Sequence, residues 1–186
     1  DLDADDRSLI RAMARGERPA VARLVARHQL RVFRFILRRV RNDGMAEEIT
    51  NEVFLEAWRS ASKFEGRSSV GTWLLAIAHN KAVSAARRTR EESWDDDKAG
   101  ELADGADDPE VSLQKADKGA VIRRCLDGLS SDHREIIDLV YYQEQSIAEI
   151  SVVLGIPEAT VKTRMFYARR KLGELLKGAG IDRGWP

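Results

Sequence analysis

Between Lys162 and Lys171, in the stretch TVKTRMFYARRKL, there are five cations, two aromatics and no anion. A merely solvated helix carries mixed charge, whereas cations with aromatics on one helix face can neutralise phosphates and reach base edges. The other chemistry-bearing residue types are scattered. His28, His79 and His133 have no Cys or His neighbours at metal-ligand spacing, and Cys125 is the only cysteine. No metal centre and no internal disulfide are therefore expected, and all four residues read as structural or surface groups. There is no Gly-rich phosphate loop, activated Ser or Cys pair, or acidic metal cluster within a folded part, so no catalytic residue and no cofactor is assigned and an enzyme is not expected.

Position comes from the elements around the cationic stretch. Ser146 with Glu149 three residues on matches a capping box and starts a helix near 146. Ile147, Ile150 and Leu154 share one face of it, Gly155 suits its C-terminal cap, and Pro157 suits the first turn of the next helix. On that next helix, 100° per residue aligns Val161, Met165, Ala168 and Leu172 as a core stripe. Thr163, Phe166, Tyr167 and Arg170 then lie opposite, with Lys162 and Arg169 along one edge and Arg164 and Lys171 along the other. This is the helix-turn-helix pattern, whose second helix enters a DNA major groove. Taken alone, an ordinary helical hairpin with a basic face fits it too.

Periodicity predicts helices near 5–15, 18–41, 45–61 and 71–88 in the first half. The second opens at Pro19, and Asn42-Asp43-Gly44 mark the break after it. Helices near 112–128, 132–142, 146–154 and 157–176 follow, with Ser130-Ser131-Asp132 as a turn and cap, and the tail GAGIDRGWP is expected to fray. No run alternates as a strand. The net charge of zero hides a partition: residues 1–88 hold 17 Lys and Arg against 11 Asp and Glu, residues 89–112 hold 2 against 10, and residues 113–186 hold 12 against 10. The strip REESWDDDKAGELADGADDPE is too acidic and too poor in apolar residues to fold alone, which makes it a linker. There is no long apolar run or signal-like start, so neither a membrane span nor secretion is expected, and the expected location is the cytoplasm.

In the first half, AEEITNEVFLEAW turns Ile49, Val53 and Ala57 inward, with Phe54 and Trp58 widening that stripe. Glu48, Asn51, Glu52, Leu55 and Glu56 lie outward, and a Leu among acids suits a docking surface. The loop KFEGRSS then leads into TWLLAIAHNKAVSAARR, where Trp73 and Ile77 can pack inward while Lys81, Arg87 and Arg88 give basic ends. A polar loop with Gly66 set against a helix bearing Asn80 could pocket an unstacked base, which offers a face to stack and an edge to hydrogen-bond. Without that context Asn80 reads as a surface polar residue.

These motifs, in this order, resemble the extracytoplasmic-function (ECF, group IV) sigma factors of the bacterial sigma-70 family. The resemblance covers roughly residues 5–176 and rests on AEEITNEVFLEAW, on the block FEGRSS with TWL, IA and Asn80, and on IAEI, LGIPEATVKTR and AR near the end. It implies an all-α fold of two helical domains, sigma-2 at 1–89 and sigma-4 at 112–178, joined by a flexible acidic linker at 90–111 and followed by a tail at 179–186. Its implied partners are core RNA polymerase, promoter DNA as duplex and non-template single strand, and an anti-sigma factor answering stress or an envelope signal. Glu48, Asn51, Glu52, Leu55 and Glu56 would dock on the polymerase clamp. Phe64, Glu65, Gly66, Arg67, Ser68 and Ser69, with Trp73, Asn80, Lys81, Arg87 and Arg88, would capture the minus-ten element and its flipped base. Thr160, Lys162, Thr163, Arg164, Phe166, Tyr167, Arg169 and Arg170 would read the minus-thirty-five duplex, and the linker would thread the polymerase interior.

Three departures bear on promoter sequence. His79 stands where the family often has Arg, Val70 and Gly71 replace a common aromatic and cation, and Tyr167 sits where Arg is frequent. Each is expected to weaken a phosphate contact or shift specificity. Two other readings compete. A sigma-like decoy would keep the fold without the DNA contacts, but such proteins usually carry a receiver domain, for which this chain has no room. A helix-turn-helix repressor acting without polymerase would not need the FEGRSS block.

Overall fold

A computed structural model describes residues 2–95 and 118–181, and all regular structure among them is helical. The order is α1 Leu2–Ala14, α2 Arg18–Val40, α3 Asp43–Ser60, a 3-10 turn Ala61–Lys63, α4 Val70–Asp95, α5 Lys118–Asp127, α6 Ser131–Tyr141, α7 Ile147–Leu154 and α8 Glu158–Gly178. Helix ends follow local chemistry. Glu17 precedes α2 and Pro19 sits in its first turn, while Asn42 caps α3 by accepting from the Met45 N–H at 2.8 Å. Because Asn42 is the cap, α3 starts two residues earlier than the periodicity predicts. Ser146 and Glu149 form both bonds of the capping box, and Gly155 ends α7 at φ +64°. Pro157 is the N-cap of α8 and not its first helical residue.

Helix α4 runs to Asp95, past the expected start of the linker at 90. The remaining linker, the helical start expected at 112, and the tail beyond 181 lie outside the described residues.

The α1–α4 group is built around Ile10, Met13, Leu24, Val32, Phe35, Ile36, Val53, Leu74 and Leu75, each at most 2% exposed. The α5–α8 group is built around Ile136, Leu139, Ile150, Val161, Ala168 and Leu172. Truncating one of these large side chains to Ala costs about 2–5 kcal/mol. The two groups are packed together: α6 crosses α2, α7 lies along α4, and their buried apolar residues form one continuous core.

The polar seam between them is ordered. The Arg31 guanidinium donates to the Gln143 side-chain and backbone oxygens at 2.7 and 3.0 Å, and the Thr72 hydroxyl donates to Gln145 Oε1 at 2.7 Å. Arg38 pairs with Asp138 at 2.8 Å, and Glu135 accepts from both Arg39 and His79, the latter at 2.6 Å. Arg134 returns the contact by donating to the Arg38 carbonyl at 3.0 Å. Burial is the first cause that lowers the Arg31 and Arg134 pKa values from their ordinary position.

Candidate nucleic-acid interface

Three surfaces carry the candidate residues, and α1 supports one of them. The first is the loop between α3 and α4. Phe64 and Trp73, both half-buried, pack ring against ring with centroids 4.9 Å apart. Glu65 and Arg67 are exposed and pair at 2.5 Å. Ser69 caps α4 by accepting from the Thr72 N–H at 3.1 Å. On α4 itself, Trp73, Asn80, Ser84 and Arg87 follow one side of the helix by the 100° period, with Arg88 and Lys81 turning toward its edge. Asn80 is exposed and lies about 10 Å along the axis from Trp73 at 1.5 Å per residue. Arg87 and Arg88 are exposed and Lys81 is half-buried.

A neighbouring side of α4, carrying Thr72 and His79, is turned to the second helical group. Two of the departures from the family pattern acquire a reason here. His79 is spent on Glu135, 2.6 Å away, where it cannot stand in for a phosphate-binding Arg. A Cβ on Gly71 would lie 2.9 Å from Arg31 Nη1, so Gly71 leaves room for the arginine that reaches Gln143. Val70 is fully buried.

The sequence reading missed what holds the loop. Arg7 on α1 donates to the Gly66 and Ser68 carbonyls at 3.1 and 3.0 Å, and its guanidinium carbon lies 5.8 Å from the Phe64 ring centroid. Asp3 accepts from Arg7 Nε at 2.6 Å and from the Val70 N–H at 2.9 Å. Burial raises the Asp3 pKa, but the Arg7 hydrogen bond, the Val70 N–H and the Arg7 charge outweigh it, leaving the carboxyl below its ordinary value. Asp3 is therefore ionised at neutral pH. A (i, i+4) acid–arginine spacing was the available signal, and it reads equally as a surface helix pair.

The second surface is the outer side of α3. Ile49, Val53 and Ala57 are buried as expected. Trp58, placed with them by periodicity, stays 37% exposed. Leu55 is 44% exposed beside exposed Glu48 and Asn51 and half-buried Glu52 and Glu56, the last accepting the Ser60 hydroxyl at 2.7 Å. An open groove lined by Gln29, Leu30, Phe33, Glu47, Thr50 and Asn51 extends this face onto α2.

The third is α8. Val161, Ala168 and Leu172 are buried with Met165 half-buried beneath them, so the outer row is held on a rigid support. Phe166 is 61% and Tyr167 52% exposed, in edge-to-face contact with centroids 5.4 Å apart. Thr160, Lys162, Thr163, Arg169 and Arg170 are exposed and Arg164 is half-buried. Arg169 donates to the Tyr141 hydroxyl at 3.1 Å, and Arg170 lies 3.6 Å from Glu174. Lys162 and Arg164 make no ion pair among the described residues. Among those residues there is also no cluster of three metal-ligating side chains, and no helix is long and apolar enough to cross a membrane.

With this geometry in hand, the likeness to known proteins is specific. Residues 24–92 match the family Sigma-70 region 2, and residues 120–172 match Sigma-70, region 4. Over 177 residues the chain is 37% identical to the ECF RNA polymerase sigma factor SigK of Mycobacterium ulcerans (strain Agy99), covering 92% of this chain and 94% of that protein. It is 33% identical over 178 residues to SigK of Mycobacterium tuberculosis (strain ATCC 25618 / H37Rv), covering 94% and 95%. Among solved structures it is similar to the sigma factor RpoE in complex with the anti-sigma factor NepR from Bartonella quintana. That likeness has a TM-score of 0.66 at 26% identity over 87% of this chain and 98% of that one.

Proposed function

We propose, from the premise that this chain belongs to the ECF sigma factors of the sigma-70 family, a division of labour among its three surfaces. The chain is a transcription initiation factor and not an enzyme. Glu48, Asn51, Glu52, Leu55 and Glu56 dock on core RNA polymerase. The loop from Phe64 to Ser69, with Trp73, Asn80, Lys81, Arg87 and Arg88, takes the opened minus-ten strand. The outer row of α8 reads the minus-thirty-five duplex.

One observation carries this reading: Lys162, Thr163, Phe166, Tyr167, Arg169 and Arg170 face solvent together on a helix whose other side is core. Duplex DNA is read by a rigid helix in a groove, and an opened strand by a pocket with stacking surfaces, so two different surfaces suit two states of one promoter. A zero net charge fits a protein whose affinity for DNA is supplied largely by polymerase.

The packed arrangement sets a condition on this activity. The two promoter elements lie roughly 25 base pairs apart, or about 85 Å of duplex at 3.4 Å per pair. A compact chain of this size has a radius of gyration of about 16 Å, so α4 and α8 reach both elements only after the helical groups separate. Asp95 and Lys118 are joined by the intervening residues 96–117, enough chain to span at most about 80 Å. Separation breaks the seam of Arg38, Arg39, His79, Glu135 and Asp138.

An anti-sigma factor is the regulator this reading assigns, supported by the similarity to a sigma factor solved with such a partner. The exposed Leu30, Leu55 and Trp58 offer it an apolar surface.

The test is transcription by bacterial core RNA polymerase, with and without the full chain, on a random template library with the transcripts sequenced. Defined start sites with two shared upstream elements are expected. Absence of binding to core polymerase would refute the reading, and tight binding without initiation would leave docking alone standing.

A further inference from the structure

The loop that meets the opened strand has little structure of its own. Among the described residues, no backbone-to-backbone hydrogen bond involves residues 65–68, and Gly66 sits at φ +71°. Its shape is instead imposed from α1. The two terminal nitrogens of Arg7 grip the Gly66 and Ser68 carbonyls, its Nε is held by Asp3, and the other Asp3 oxygen holds the first free donor of α4, the Val70 N–H. One acid–arginine pair thus fixes both the middle of the loop and its junction with α4.

The support is itself anchored. Ile10 and Met13 are buried, and Asp6, 5% exposed, accepts from His28 Nε2 and Arg27 Nη1, both at 2.7 Å. A site is held accurately when the groups around it are locked in turn by packing and hydrogen bonds. Helix α1 precedes residue 24, where the match to region 2 begins, so nothing in that match assigns it a part.

We propose that Asp3 and Arg7 are positioning residues for minus-ten recognition, holding the Phe64–Ser69 loop in the shape that receives an unstacked base. The inference rests on the reading of that loop given above. Arg7 touches no base. It holds the loop in one shape, so that a base that fits is favoured over one that would need the loop to move, and it adds no contact of its own to the base. Lys cannot replace it, because a single ammonium cannot span two carbonyls as a planar fork does. Gly66 is the other half of the fit: a Cβ there would lie 2.5 Å from Arg7 Nη1.

The experiment uses core RNA polymerase, the full chain and templates randomised through the minus-ten segment. It compares the wild type with Arg7→Ala, Arg7→Lys and Gly66→Ala, with core-polymerase affinity and thermal melting measured alongside. Arg7→Ala is expected to lower discrimination at the captured base by roughly 10- to 100-fold, the scale of a misplacement near 1 Å. Affinity for core polymerase should hold. Arg7→Lys should show most of the same loss, and Gly66→Ala added to Arg7→Ala should cost less than its single effect. If the wild type discriminates and Arg7→Ala discriminates equally well, the inference fails and the loop keeps its role. If Arg7→Ala lowers core affinity and transcription equally on every minus-ten sequence, Arg7 only supports the fold and the inference again fails. If the wild type itself shows no minus-ten preference, the reading of the loop falls and takes the inference with it.

Discussion

Helices α2 and α8 are the two most cationic among the described residues, and the seam draws on one of them and not the other. Helix α2 carries seven arginines and no acid; α8 carries five cations between Lys162 and Lys171 and no acid in that interval. By composition α2 is the stronger candidate for a phosphate-binding helix. In the structure four of the seven are met internally, Arg27 by Asp6, Arg38 by Asp138, Arg39 by Glu135 and Arg31 by Gln143, while Arg18, Arg23 and Arg34 stay exposed. On α8, Lys162 and Arg164 pair with nothing among the described residues. A run of cations therefore announces an anionic partner without saying whether that partner is another molecule or another part of the same chain.

The sharpest way to break this comparison is at the buried end. Glu135 has a side chain 1% exposed and is shared by Arg39 and His79. Removing Arg39 leaves a buried carboxylate with one partner, and breaking such a pair costs about 3–5 kcal/mol. Arg39→Ala is expected to show that loss in denaturant unfolding, and to separate the two helical groups as read by energy transfer between labels on α3 and α8. An unchanged midpoint and distance would mean that the seam contributes nothing and that α2 is as available as α8.

Asp138 gives a second and smaller handle, through pH. Burial pushes its carboxyl up to about 6, opposed by the Arg38 charge and by hydrogen bonds from Gln143 and Arg38, and assisted by the Glu135 charge. Its Oδ2 has no hydrogen-bond partner among the described residues. A carboxyl whose pKa is higher when buried than the ordinary 3.8 binds its proton more tightly in the packed form. The packed form therefore gains stability as pH falls from about 6 toward 4, by up to about 3 kcal/mol, and gains nothing more below that window. In Asp138→Asn this part of the pH dependence should disappear. Identical pH profiles for the two proteins between 4 and 6 would refute the assignment.

Local signals explain how much of this was legible. The capping box at Ser146 and Glu149, the left-handed turn at Gly155 and the Val161–Leu172 stripe are set by neighbours a few residues apart, so the helix-turn-helix could be read off directly. Ser146→Ala should accordingly cost about 1 kcal/mol of stability, because the Glu149 N–H loses its hydroxyl acceptor while the backbone bond from residue 146 to the Glu149 carboxylate remains. The seam was not legible. His79 meets Glu135 across 56 positions and Arg31 meets Gln143 across 112, and no periodicity links them. Trp58 was placed inward by its helical angle, yet the core closes over Val53 and Ala57 and leaves it half outside. Asp3 and Arg7 had a visible spacing but no visible target, because the loop they grip lies some 60 residues away.

The smallest effect on stability falls on the exposed side of the comparison, where it is also the most telling about function. Lys162 is exposed and unpaired among the described residues, so Lys162→Ala should change unfolding stability by no more than about 0.5 kcal/mol. If its ammonium meets a phosphate of the minus-thirty-five duplex, the slope of log affinity against log salt should shrink by roughly 0.9, the value for one released counterion on duplex DNA. The same measurement on Arg38→Ala should leave the slope unchanged, because Arg38 already answers to Asp138 and lies against the Tyr142 ring at 4.1 Å. Two arginine-rich or lysine-rich helices in one chain would then be separated by a single number that charge counting cannot supply. If instead Arg38→Ala lowered the slope and Lys162→Ala did not, α2 would be the helix that meets DNA once the seam opens, and the roles assigned to the two would be exchanged.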